Sequence, residues 1–121
     1  MQIAKQQTLA TALAEIQADQ QQRPALVTAG TQALNRLVPI ALRNSGQSRV
    51  LGRFLLGLYN GEDFPFDLTD LRGLDLTLFK DCLSVLMMDY SPDKEVHERI
   101  QCGNAIWQRL IEQWAPEVLS E

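Results

Sequence analysis

Apolar residues in the last third of the chain recur at Val96, Ile100, Gly103, Trp107, Leu110 and Trp114, in steps of 4, 3, 4, 3 and 4. A helix brings such positions onto one narrow stripe, whereas a strand would scatter them over both of its faces. Just before them, Ser91, Pro92 and Asp93 supply a cap, a proline at the first helical position and an acid in the first turn. The spacing predicts one helix from this start to Trp114, closed by Ala115 and Pro116. Period-two alternation bounded by turn residues extends over no useful length of the 121 residues. The expected fold class is all-α.

The rest of the chain divides by the same reasoning. Residues 2–22 carry Ile3, Leu9, Leu13 and Ile16 among alanines and seven glutamines, a weakly amphipathic helix that Pro24 should end. Thr31 can cap a second helix that buries Leu34, Leu37, Val38, Ala41 and Leu42, with a kink at Pro39. Asn44, Ser45 and Gly46 stop it, Gly46 being suited to a left-handed cap. A third helix from Gln47 or Ser48 to about Asn60 contains Val50, Leu51, Phe54, Leu55, Leu58 and Tyr59, so it should be the most buried. Asp67 or Thr69 caps one short turn. Asp75 caps a fourth helix over residues 76–90, whose buried face includes Leu78, Phe79, Cys82, Leu83, Val85, Leu86 and Met87. The whole is a single-domain bundle of about five helices plus a short helical turn. Within residues 1–121, residues 1–24 form a peripheral Gln-rich helix and residues 25–121 the core, because two separate cores of about 60 residues would each be marginal.

Several function classes drop out on composition. The longest uncharged stretch is residues 24–35, 12 residues long, against about 20 apolar residues for a membrane span. The first residues show no apolar signal core. Cys82 and Cys102 stand twenty residues apart with no C-x-x-C, as in a protein with free thiols in a reducing cytoplasm. The net charge of −4 hides an asymmetry, +4 over residues 1–53 and −8 over residues 54–121. Either an anion-binding face or mutual neutralisation of the two halves would produce it.

No enzyme constellation emerges, and neither a cofactor nor a metal is expected. His97 is the one histidine, read as a solvated side chain one turn after Asp93. The acids Glu62, Asp63, Asp67, Asp70, Asp75 and Asp81 lack the alternate spacing and central glycine of a calcium loop. Glycines match neither a phosphate loop nor a dinucleotide fingerprint. The stretch that invites a ligand is Arg43, Ser45, Gly46, Gln47, Ser48 and Arg49, followed by Arg53. It opens a helix whose amides attract anions and adds three guanidinium groups, a candidate contact for an acidic partner or a phosphate backbone. Alternatively those arginines pair internally with Asp67, Asp70 and Asp75. A helix-turn-helix reader is disfavoured, because Val50 to Tyr59 is too apolar to face a groove. Trp107 and Trp114 read as core residues or as a homodimer contact.

Gly46-Gln47-Ser48-Arg49, Phe54-Leu55-Leu56, Tyr59-Asn60, Phe66-Asp67-Leu68-Thr69-Asp70-Leu71 and Leu74-Asp75 together resemble a family of small uncharacterised bacterial proteins carried on plasmids, integrative elements and prophages. The likeness covers about residues 33–116. It implies a bacterial cytoplasm and a mobile-element setting, and carries no catalytic residue. The function expected is that of a non-enzymatic accessory protein that binds another protein. The alternative is a nucleic-acid-binding accessory protein using Arg43, Arg49 and Arg53.

Overall fold

The computed structural model describes the backbone of residues 2–119 and the side chains of residues 8–119. The chain is all-α: among the described residues there is no strand, and four helices are of 12 residues or more. They are α1 (Gln2–Ala41), α2 (Gly46–Tyr59), α3 (Leu76–Asp89) and α4 (Gly103–Trp114), followed by a single turn, α5 (Pro116–Leu119). Two 3-10 turns, Leu68–Gly73 and Val96–Arg99, link α2 to α3 and α3 to α4.

The first two expected helices are one. α1 runs 40 residues through both Pro24 and Pro39. A proline inside a helix removes one hydrogen bond and crowds the preceding turn, a local penalty that the flanking sequence outweighs. On one side lie alanines, glutamines and leucines, all good helix formers. On the other, the helix is clamped to α3. The Arg23 guanidinium donates to the carbonyls of Met87 (3.1 Å), Met88 (2.8 Å) and Ser91 (3.0 Å), satisfying the C-terminal end of α3. Six residues after Pro24, Gly30 lets α1 press so closely on α3 that a Cβ there would overlap Met88. The kink expected at Pro39 does not end the helix, which continues to Ala41.

α1 and α3 run antiparallel, Arg23 meeting the end of α3 and Arg36 reaching back to Asp81 near its middle. That pair is bidentate, Nε to Oδ2 at 3.1 Å and Nη2 to Oδ1 at 2.8 Å. Asp81 is buried, so the fork both satisfies and neutralises it. Behind it lies the core, with Leu34 and Leu37 from α1, Leu51, Leu55 and Leu56 from α2, Val85 and Met88 from α3, and Trp107 and Leu110 from α4. Each such side chain is worth about 1.5–3 kcal/mol in burial. α2 supplies the densest run of buried residues, as its composition predicts.

The C-terminal seam is not one helix. After Asp89 the chain turns, makes the 3-10 turn Val96–Arg99 under a Glu95/Glu98 capping box, and re-enters a helix only at Gly103. Cys102 takes a left-handed backbone, φ 60°, to make that corner. Gly103 then passes against the carbonyl oxygen of His97, where a Cβ would overlap it. In the seam Gly103 is therefore a crossing point rather than a packing residue, which periodicity cannot distinguish. Nor does Gly46 take a left-handed cap. It is the first residue of α2, and no described glycine has positive φ.

Cys82 lies in the core and Cys102 is exposed, both as free thiols. Burial, reinforced by the neighbouring Asp81 charge, pushes the Cys82 thiol up to about 12. A native-state thiol titration at neutral pH should modify Cys102 promptly and Cys82 only on unfolding; prompt modification of both would contradict this packing. The linkage has a sign. Between the ordinary thiol value near 9 and 12, the unfolded chain releases a proton that the folded chain keeps, so stability should erode as pH rises through that window.

Candidate association surface

The basic segment is built into the corner between α1 and α2. Ser45 caps α2, its hydroxyl accepting from the Ser48 amide at 3.1 Å, and the two hydroxyls lie 2.7 Å apart. Gln47 is locked to Asp75: its amide nitrogen donates to the carboxylate at 3.1 Å, and its amide oxygen accepts from the Asp75 backbone N–H at 2.7 Å. Asp75 thus sits at the N-cap position of α3, but its side chain bonds across to α2 instead of capping. Ser45, Gln47 and Ser48 are engaged in structure, which leaves fewer groups at this corner to receive an anion.

The arginines of the cluster separate. Arg43 and Arg49 are exposed, while Arg53 is half-buried in a small cleft of about 120 Å³ with Asp63, Trp114 and Glu117. Among the described residues, neither these three nor Asp67, Asp70 and Asp75 take part in an ion pair; the two present are Arg36–Asp81 and Arg99–Asp93. Asp67 instead accepts from the Thr69 amide and hydroxyl, capping the first 3-10 turn as expected. The internal neutralisation expected of the arginine cluster is carried by Arg36, which lies outside it.

His97 is not a solvated partner of Asp93. The loss of helix before Gly103 turns it inward, where its ring meets Tyr59 edge-on at 5.0 Å and lies 6.4 Å from Trp107. Asp93 takes Arg99 at 2.7 Å, and that guanidinium holds its carboxyl below the usual carboxylate range. The tryptophans are also committed. Trp107 is buried, with its indole N–H directed to the Leu55 carbonyl at 3.3 Å. Trp114 donates to the Ala41 carbonyl at 2.8 Å and fills the space over Gly52, where a Cβ would overlap the indole. The seam that offered a homodimer contact is used up inside the chain.

What sequence reasoning missed is the outer face of α3. Its inner face, with Asp81, Cys82, Val85 and Met88, is buried. Leu83, Leu86 and Met87, expected in the core, are exposed, because α3 has apolar residues on two sides and the bundle covers only one. Leu76, Phe79, Leu83, Leu86 and Tyr90 step by 3, 4, 3 and 4 along the outside. With Leu68, Leu71 and Leu74 of the first 3-10 turn and its exit, most of that stripe lines an open groove of about 640 Å³, flanked by Arg72. Leu68 and Leu76 are 71% and 65% exposed, unusual for leucines that share a contiguous surface. The signal was present: too many apolar residues for one helical face.

A second unpartnered stripe lies on α1. Residues 8–22 are exposed on all sides, and Leu9, Leu13 and Ile16 form a row along them, at 62%, 53% and 54% exposure. The side chain of Ile3, the other apolar residue expected in that row, lies outside the described residues.

Neither a curated protein nor a solved structure gives a significant match to this chain. A model of a family of unknown function (DUF7673) matches residues 31–115, nearly the span that carried the resemblance, and the chain belongs to that family.

Proposed function

We propose that this chain is a non-enzymatic protein-binding accessory module, acting in the bacterial cytoplasm in the service of a mobile genetic element. The observation that carries the binding role is the leucine-rich groove between the first 3-10 turn and α3. Grooves of this kind take an amphipathic helix, with affinity from apolar burial and register from i, i+3, i+4 anchors. The mobile-element setting rests on the sequence resemblance. The test is capture on the tagged chain from a bacterial lysate, with and without nuclease, at low and moderate salt. Protein recovery that survives nuclease and is lost on Leu83→Glu/Leu86→Glu supports the reading. Recovery indifferent to that double substitution overturns it.

A second reading, binding to nucleic acid, draws on the exposed Arg43 and Arg49 at the start of α2 and on their lack of ion pairs among the described residues. It expects binding that falls steeply with salt, since each phosphate contact releases counterions. Arg43→Glu/Arg49→Glu should then weaken binding on all sequences alike and flatten the salt dependence. Absent or salt-insensitive binding of a duplex probe excludes it.

A further inference from the structure

We infer that the groove is occupied by the N-terminal stretch of α1 from a second copy of this chain, each copy lending its helix to the other. The inference rests on the reading of the groove as a protein-binding surface and names its occupant.

Two large apolar features stand without a partner among the described residues, and they are complementary in form. One is a convex row, Leu9, Leu13 and Ile16, each more than half exposed; the other is an open, leucine-lined channel. The row fits within the channel's length: Leu9 to Ile16 cover about 12 Å of helix and Leu76 to Leu86 about 16 Å. Their charges also agree. Glu15 and Asp19, four apart on one flank of the row, are the charged residues of the exposed stretch, and the charged residue in the channel's lining is Arg72, of opposite sign.

The two features cannot meet within one chain. α1 is continuous through Pro24, and Arg23 fixes it at the C-terminal end of α3. Residues 8–22 therefore lead away from the bundle, and the channel lies back alongside α3. The row does keep the register of the packed half of α1. Leu9, Leu13, Ile16, Gln20, Arg23, Val27, Gly30, Leu34, Leu37 and Ala41 step by 4 and 3 throughout, so the same helix face that packs on α3 continues past its end. Pairing between two such stretches alone would be weak, since three apolar residues fall short of the three to four heptads of a self-standing coiled coil. Reciprocal exchange makes the contact twice around a two-fold axis. In that way short helices can reach the roughly 1,600 Å² of a stable interface.

The test is the mass of the chain in solution, by sedimentation and light scattering over a dilution series. The expected species has twice the 13.6 kDa of one chain. Leu9→Glu/Leu13→Glu and Leu83→Glu/Leu86→Glu should each yield monomers with unchanged helical circular dichroism, because all four side chains are exposed in the single chain. A monomeric parent chain overturns the inference, as does either variant that stays dimeric. The wider reading is judged separately. If the chain is monomeric and still retains another protein through the groove, only the occupant was wrong; if it retains none, both fail.

Discussion

Gly103→Ala should cost about 3 kcal/mol or more, a larger effect than glycine-to-alanine changes normally have in a helix, where alanine is the better residue. The reason is the crossing at the start of α4. The Cα of Gly103 lies against the His97 carbonyl, and an added Cβ would overlap backbone that cannot swing away as a flexible side chain could. Either α4 must slide along α2 or the 3-10 turn Val96–Arg99 must move, and both carry core residues, Trp107 and Leu110 in one case and Val96 in the other. Chemical denaturation of Gly103→Ala beside Gly73→Ala would check this, because nothing lies within 4 Å of a Cβ at Gly73. A Gly103→Ala variant as stable as the parent would mean that α4 does not cross there.

Trp107→Ala should lose about 3–5 kcal/mol, the range for truncating a buried aromatic residue. Trp107 is 2% exposed and stands between α2 and the 3-10 turn that carries His97. Trp107→Phe separates packing from polarity. It keeps most of the ring and loses the hydrogen bond to Leu55, whose carbonyl lies inside α2 and retains its helical partner, so a further loss near 1 kcal/mol is expected. If Phe costs as much as Ala, the indole N–H rather than the ring volume holds α4 in place. Unfolding midpoints and slopes of the two variants against the parent distinguish these cases.

Residue spacing was enough to give the all-α class and most of the buried face of α2, though Tyr59, expected within it, is exposed. Leu51, Leu55 and Leu56 leave a helix no polar side on which to stop, so α2 lies at the centre. Local chemistry also gave the cap of the first 3-10 turn, where Asp67 holds the Thr69 amide by a short bond that depends on nothing remote. At α2 the expected stop is instead a start, with Ser45 as its cap, and at α3 the expected cap Asp75 is drawn off to Gln47. Errors arose where a residue has two physical uses. Pro24 is a helix breaker on its own, yet it is tolerated when Arg23 and Gly30 clamp the helix to a neighbour. Gly103 fits a heptad position, yet its use is to admit a carbonyl.

The association surface was half legible. The excess of apolar residues on α3 was in plain view, but which of its two faces would be covered depended on where α1 lands. That landing is set by the Arg36–Asp81 fork and the close approach at Gly30, contacts 45 and 58 residues apart along the chain. The basic corner was visible as a cluster of arginines, whereas the engagement of Gln47 with Asp75 spans 28 residues and has no local signature.

By itself, the sequence determined what each stretch prefers: helices where apolar residues recur every three or four positions, and caps where short polar side chains precede them. Those are interactions within a turn or two of helix, and spacing encodes them. Tertiary structure alone decided that α1 is one helix, that the last seam breaks at Cys102, and that the leucines of α3 remain outside. Each of those outcomes is a choice between local preferences of similar size, and contacts between residues far apart in the chain tip the balance.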